Sequence, residues 1–235
     1  MSSWTNQVLH NTQGALRTKG DATKADGAAK YMKQVAPFLG IAAPDRRRLL
    51  RIAWANLASP TSDELGMAAR ALMTLPDREY HYAAYDLIDK YLFAADEYFL
   101  AEHLEVLLVT TPWWDTVDGF VNAGVSPLCR RYDATTIIKE WSESENRWLI
   151  RAAIGHQRGW KKDTNVKQIL QLCDRHWDNS EFFIAKAIGW ALRDITVFDP
   201  NSVKHFLSNH PVRNTIAERE ANRGLKRSQH SPSQK

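Results

Sequence analysis

Cysteine is nearly absent from these 235 residues, with Cys129 and Cys173 the only two. They lie far apart, with no paired-cysteine or Cys/His spacing around them. Neither a disulfide framework nor a zinc site is supported, and a reducing compartment is the simpler setting. No run of ~18 apolar residues is present to span a bilayer. The N-terminus, Met1-Ser2-Ser3-Trp4-Thr5-Asn6-Gln7, lacks the charged-then-apolar build of a secretion signal, and a cytoplasmic location is expected. There is no Gly-rich phosphate loop, His-Glu-x-x-His pair or nucleophile elbow, and the eight histidines are scattered. Nucleotide- and metal-dependent chemistry is disfavoured, and no cofactor or metal is expected. Strand-like alternation is missing too.

What remains is helical. Hydrophobic content of 44% and charged content of 25% are ordinary for a globular chain of this length. From Ser3 to Val35 the pattern predicts two polar, weakly amphipathic helices broken near Lys19-Gly20-Asp21. Pro37, Gly40 and Pro44 then forbid a continuous helix, and Pro44 suits the first turn of the next one. Beyond Thr61, stop and start signals cut the chain into helix-sized pieces. Helices starting near Asp77, Pro112, Glu145, Ser180 and Pro211 follow at intervals of 31 to 35 residues, each preceded by another helix. Paired helices with a period in the thirties predict an all-α fold, an α-solenoid whose pairs bury their apolar sides by stacking and whose concave face carries one helix of each pair. The tetratricopeptide pattern is absent, so HEAT-like is the better description. A single domain over residues 1–225 is expected, followed by a disordered tail from Lys226 to Lys235.

Nine tryptophans exceed the usual needs of a core, and a net charge of +4 permits an anionic partner without demanding one. In Pro112-Trp113-Trp114-Asp115-Thr116-Val117-Asp118-Gly119-Phe120, the residues Val117, Phe120 and Val121 face a core at helical spacing. Trp114 and Asp118 stack on a neighbouring face, an aromatic plane beside a carboxylate. In Asn146 to Gln157 the stripe is Ile150, Ala153 and Ile154, with Arg147 and Arg151 off it. In Phe182 to Ile195 the stripe is Ile184, Ala187, Ile188, Ala191 and Ile195, with Lys186, Trp190 and Arg193 on the far side. Asp118, Arg151 and Trp190 are about one repeat apart, so a solenoid would align them on its concave face. Aromatic rings interleaved with Arg and Lys suit a nucleic-acid backbone and its sugars. Each residue alone also reads blandly, Trp as packing and Arg as a solvated side chain. The same holds for the cluster Asp45-Arg46-Arg47-Arg48, a phosphate contact or a solvated helix face.

These residues resemble the bacterial AlkD-like DNA alkylation-repair enzymes, HEAT-repeat DNA glycosylases, from about Tyr31 to Leu225. The likeness is carried by Tyr31-Met32-Lys33, Phe38-Leu39-Gly40-Ile41 with Pro44-Asp45-Arg46-Arg47, Trp113 to Asp118, Trp148-Leu149-Ile150-Arg151-Ala152-Ala153-Ile154 and Glu181 to Arg193. Arg219-Glu220-Ala221 looks like the family's closing Arg-Glu-Ala. The resemblance implies that Asp118 is the catalytic carboxylate and that Arg151 lies in the same site. It implies that Trp114 and Trp190 hold the deoxyribose of the damaged nucleotide and that Tyr31 lines the cleft. The implied reaction is hydrolysis of the N-glycosidic bond of N3- and N7-alkylated purines in duplex DNA, without base flipping. One departure is Ala42, where the family often carries a polar residue, commonly Gln.

The expectation is therefore a monofunctional glycosylase, working as a monomer on double-stranded DNA, with Asp118, Arg151 and Trp114 in the catalytic site and Trp190 and Tyr31 against the sugar. Arg46, Arg47, Arg147, Lys186, Arg193 and Arg219 are expected at the DNA backbone. The alternatives are a non-catalytic module for distorted or branched DNA and a protein-binding solenoid, the last predicting an exposed apolar groove instead.

Overall fold

The computed structural model describes residues 2–210 and 214–230, and every regular element among them is helical. The chain divides into two compact units, Met1–Gly124 and Val125–Lys235. The first opens with α1 (Ser3–Leu16) and α2 (Ala22–Tyr31), broken at the expected Lys19-Gly20-Asp21. Ser2 and Asp21 cap them by accepting from the backbone N–H groups of Thr5 and Lys24. α2 stops at Tyr31, short of Val35, because Lys33 and Gln34 turn to left-handed φ values of 58° and 59°. The following loop pivots on Gly40 at φ 83°, where a Cβ would lie 2.1 Å from the Asp21 carbonyl oxygen. Only glycine fits there.

α3 (Ala43–Ala53) carries Pro44 in its first turn, as expected. α4 (Ser62–Met73) starts from a capping box, the Thr61 hydroxyl accepting from Glu64 N–H and the Glu64 carboxylate from Thr61 N–H. It packs against α5 (Arg78–Tyr91). A π-helical turn, Leu100–Leu104, leads into α6 (Glu105–Val109), and α7 (Trp114–Phe120) follows. Val8, Leu65, Leu72, Leu87, Ile88 and Leu104 form the core of this unit, joined by the stripe Val117, Phe120 and Val121. Each such side chain contributes roughly 1.5–3 kcal/mol by leaving water.

The second unit contains α8 (Ser126–Arg131), α9 (Thr135–Glu143), α10 (Arg147–Gly155), α11 (Val166–Arg175), α12 (Phe182–Ile195), α13 (Pro200–Ser208) and α14 (Thr215–His230). α9 packs on α10, α11 on α12 and α13 on α14, while α10, α12 and α14 stack in succession. α5, α7, α10, α12 and α14 begin at residues 78, 114, 147, 182 and 215, which is the repeat read from the start signals. The fold is an all-α solenoid of helix pairs. Pro211 itself lies outside the described residues.

Two details depart from the pattern. α12 is buried beyond its expected stripe, with Ala185 and Leu192 also covered while Ala191 is only half-buried, because α10, α11, α13 and α14 all lean on it. α14 runs on to His230, five residues into the stretch expected to be a tail. Lys, Arg, Ser and Gln there are polar but tolerated in a helix, and buried Leu225 docks the preceding turn. Residues 231–235 lie outside the described part.

Candidate active site

In the first unit, α7 places Trp114 and Asp118 one turn apart, both half-buried. The chain enters α7 through Thr111, a β-branched residue held at φ 41°, and through Trp113 in extended conformation. That entry is fixed by Arg78 at the start of α5. Its Nε and Nη2 donate to the two carboxylate oxygens of Asp115 at 3.1 and 2.6 Å. Nη2 also reaches the Thr116 hydroxyl and Nη1 the Thr111 carbonyl, each at 3.1 Å. The Thr116 hydroxyl donates in turn to the Trp113 carbonyl and accepts from its N–H. Tyr82, one turn along α5, donates its hydroxyl to Asp115 at 2.5 Å. Burial and then the Asp115 charge push the Tyr82 phenol far above its ordinary value. Arg78 also donates to His81 Nδ1 at 3.1 Å, so that nitrogen is an acceptor and the proton sits on Nε2, 2.8 Å from the Leu75 carbonyl. Burial lowers the His81 pKa accordingly.

The same helix also fixes the loop before α3. Glu79, 2% exposed, accepts from the backbone N–H groups of Leu39, Gly40 and Ile41 at 2.9, 2.8 and 3.0 Å. Ala42, next in line, is the N-cap of α3 and gives no side-chain cap. Arg46, expected at the DNA backbone, is instead buried: its Nε is 3.1 Å from Asp86 and its guanidinium lies over Tyr82, 4.9 Å from the ring centre. Burial pushes the Tyr85 hydroxyl pKa up to about 12 despite the neighbouring Arg46 cation. Arg47 shares Asp86 but keeps its side chain mostly in solvent. Tyr31 ends α2 and is 72% exposed. Gly119 lets the Tyr85 ring lie against α7, since a Cβ there would be 2.3 Å from it.

In the second unit, α10 is covered on nearly every side, which explains why Arg151 is only 2% exposed although it stands off the apolar stripe. It donates to the Phe183 carbonyl at 2.7 Å, and its guanidinium lies 5.1 Å from the centre of the half-buried Trp190 ring. Arg158 is 5.1 Å and Arg193 6.0 Å from the same ring. Trp190 is thus surrounded by cations, an arrangement that holds its plane in place. Arg147 is half-exposed, 3.4 Å from Glu181 and 5.0 Å from the Trp148 ring centre. Lys186 and Arg193 both donate to buried Glu220 of α14, and Arg219 is exposed nearby on α14. The expected residues of this unit are therefore gathered along α10, α12 and α14.

Comparison with known proteins gives this arrangement its context. Residues 12–225 match the model of the DNA alkylation repair enzyme family. The chain belongs to that family. A solved structure, that of a predicted DNA alkylation repair enzyme from Enterococcus faecalis, is 26% identical and superposes with a TM-score of 0.80 over 86% of this chain and 95% of that one. No curated protein matches the chain. Membership in the DNA alkylation repair family sets its role in repair of alkylation damage and makes DNA its substrate. No described helix is long and apolar enough to cross a membrane, and no group of three His, Cys, Asp or Glu that could hold a metal occurs among the described residues.

Sequence reasoning did not find Arg78, Tyr82, Glu79 or Arg158, and it placed Asp115 in the motif without a role. Each is polar and tied to a partner more than thirty positions away, or to a ring on another helix. A visible signal for Arg78 and Tyr82 is their i,i+4 placement on one face of α5.

Proposed function

We propose that this chain is a monofunctional DNA glycosylase that hydrolyses the N-glycosidic bond of N3- and N7-alkylated purines in duplex DNA. The observation that carries the reading is the placement of Asp118 one turn after Trp114, half-open, on a helix whose entry is fixed by Arg78, Asp115 and Thr116. A carboxylate held on a rigid element is what the chemistry requires. Alkylation at either ring nitrogen makes the base cationic and already a good leaving group, so little protonation by the enzyme is needed. As the bond breaks the sugar becomes oxocarbenium-like. The Asp118 charge stabilises that cation and orients the attacking water, and the Trp114 ring lies beside it.

Trp190, held in plane by its guanidinium neighbours, is assigned to the sugar, as is Tyr31. Arg151, bonded to the Phe183 carbonyl and stacked beside the Trp190 ring, is assigned to the same site. Arg47, Arg147, Lys186, Arg193 and Arg219 are assigned to the backbone. Arg46 is committed to Asp86, and its part is to steady α3 against α5. Excision without flipping requires no base pocket.

The test is release of 7-methylguanine and 3-methyladenine from methylated duplex DNA, followed over time by chromatography. Time-dependent release by the purified chain supports the reading. Tight duplex binding with neither base released contradicts it and favours a non-catalytic binder of distorted DNA.

A further inference from the structure

Glu220 is a carboxylate with 3% exposure, buried where α12 and α14 cross. The crossing is close because of Gly189, where a Cβ would stand 2.8 Å from the Glu220 Cβ and 3.0 Å from the Ala217 Cα. Gly189 lies three residues after Lys186 and four before Arg193, on one face of α12. Glu220, seated over that glycine, reaches both: its Oε1 accepts from Lys186 Nζ and its Oε2 from Arg193 Nη1, each at 2.9 Å. Oε1 also accepts from Arg223 Nη1 at 2.9 Å, one turn along α14. Burial raises the Glu220 pKa, but the bond from Lys186 and the charges of Lys186, Arg223 and Arg193 outweigh it and hold the carboxyl below its usual range.

Above the carboxylate is a recess of about 160 Å³, lined by Phe182, Lys186, Ile216, Arg219, Glu220 and Arg223. Lys186, Arg219 and Arg223 line the recess against the single carboxylate of Glu220, so it is net positive, and Arg193 meets Glu220 Oε2 from outside the lining. Lysine and arginine carry three and five donors each, and Glu220 takes one from each partner. The side chains of Lys186, Arg193 and Arg223 remain 29%, 31% and 57% exposed. Cations packed this closely repel one another and would spread into solvent without a counter-charge beneath them.

We propose that Glu220 gathers Lys186, Arg193 and Arg223 into a preorganised seat for one backbone phosphodiester of the bound DNA, with Arg219 on its rim; this rests on the DNA-binding part of the function proposed above. Glu220 is a positioning residue, and Arg223 is added to the phosphate contacts. The carboxylate repels DNA in its own right, yet its removal weakens binding because the cations lose their common anchor. A Glu220 that only staples α14 to α12 gives the opposite sign. Removing one negative charge beside the DNA then tightens binding.

The experiment is fluorescence anisotropy with a short undamaged duplex between about 50 and 200 mM salt, with folding of each variant checked by circular dichroism. Glu220→Gln is expected to weaken binding by about fivefold or more although it makes the protein more positive. Arg223→Gln is expected to weaken it and lower the slope of log K against log salt by about one. Arg175→Gln, the same charge change at an exposed arginine paired with Glu143 on a different helix, is expected to change affinity less than about twofold. Equal or tighter binding by Glu220→Gln overturns the seat. If that variant does not fold, Arg223→Gln behaving like Arg175→Gln overturns it instead. A wild-type chain that binds no duplex overturns both the seat and the DNA-binding reading, whereas salt-dependent wild-type binding with an unaffected Glu220→Gln overturns the seat alone.

Discussion

Arg78 bonds four residues of the first unit through one side chain that is 1% exposed. Its partners lie on its own helix, in the turn before α7 and on α7 itself, so it converts the position of α5 into the position of Trp114 and Asp118. Replacing it with methionine keeps most of the volume but leaves Asp115, whose side chain is 10% exposed, with its cation gone. Breaking a buried pair in this way costs about 3–5 kcal/mol. Urea unfolding of Arg78→Met is expected to show a loss of that size, and a loss below about 1 kcal/mol contradicts the linchpin role. None of this was legible at the residue scale. Asp115, Thr111 and Thr116 lie 33 to 38 positions from Arg78, and a single sequence displays no pairing at that distance. Trp114 and Asp118 were legible because their relation is local, four residues along one helix.

At the scale of elements the sequence is more open. Capping residues, prolines and apolar stripes are local, and they mark the starts of α4, α5, α7, α10 and α12 closely. They do not show how many neighbours a helix has. Arg147 and Arg151 share a face by periodicity, yet one is half-exposed and the other buried, since α10 is covered where Arg151 lies. The repeat does have a further meaning that only the structure displays. Arg46 to Asp86, Glu79 to Gly40, Arg78 to Asp115 and Lys186 to Glu220 are separated by 40, 39, 37 and 34 positions. Buried polar bonds thus run from one helix pair to the next at about the period of the helix starts. The loop before α3 offers a direct check of this wiring. Gly40 combines left-handed φ with a steric limit against Asp21 and gives its N–H to Glu79. Gly40→Ala is expected to cost about 2 kcal/mol or more, read as a fall in the urea midpoint. An unchanged midpoint contradicts the account of that loop.

For the whole molecule, the chemistry of histidine governs the response to acid. Burial lowers the pKa of His81, His103, His156 and His176 below 6.5. Each stays neutral in the folded chain while the unfolded chain takes up protons as pH falls through about 6.5. Their contribution is complete above that pH and is lost progressively as pH falls toward the depressed folded values. The Tm is therefore expected to drop between about pH 7 and pH 5, and a flat Tm across that window contradicts neutral buried histidines. The reaction itself is the central claim, and it is tested most directly by single-turnover release of 7-methylguanine from methylated duplex DNA by the wild-type chain and by Asp118→Asn. The account predicts release by the wild type and a rate at least about tenfold lower in the variant, equivalent to ~1.4 kcal/mol of lost transition-state stabilisation, with duplex affinity little changed. Equal rates for the two proteins, at equal folded fraction, would contradict a glycosylase working through Asp118.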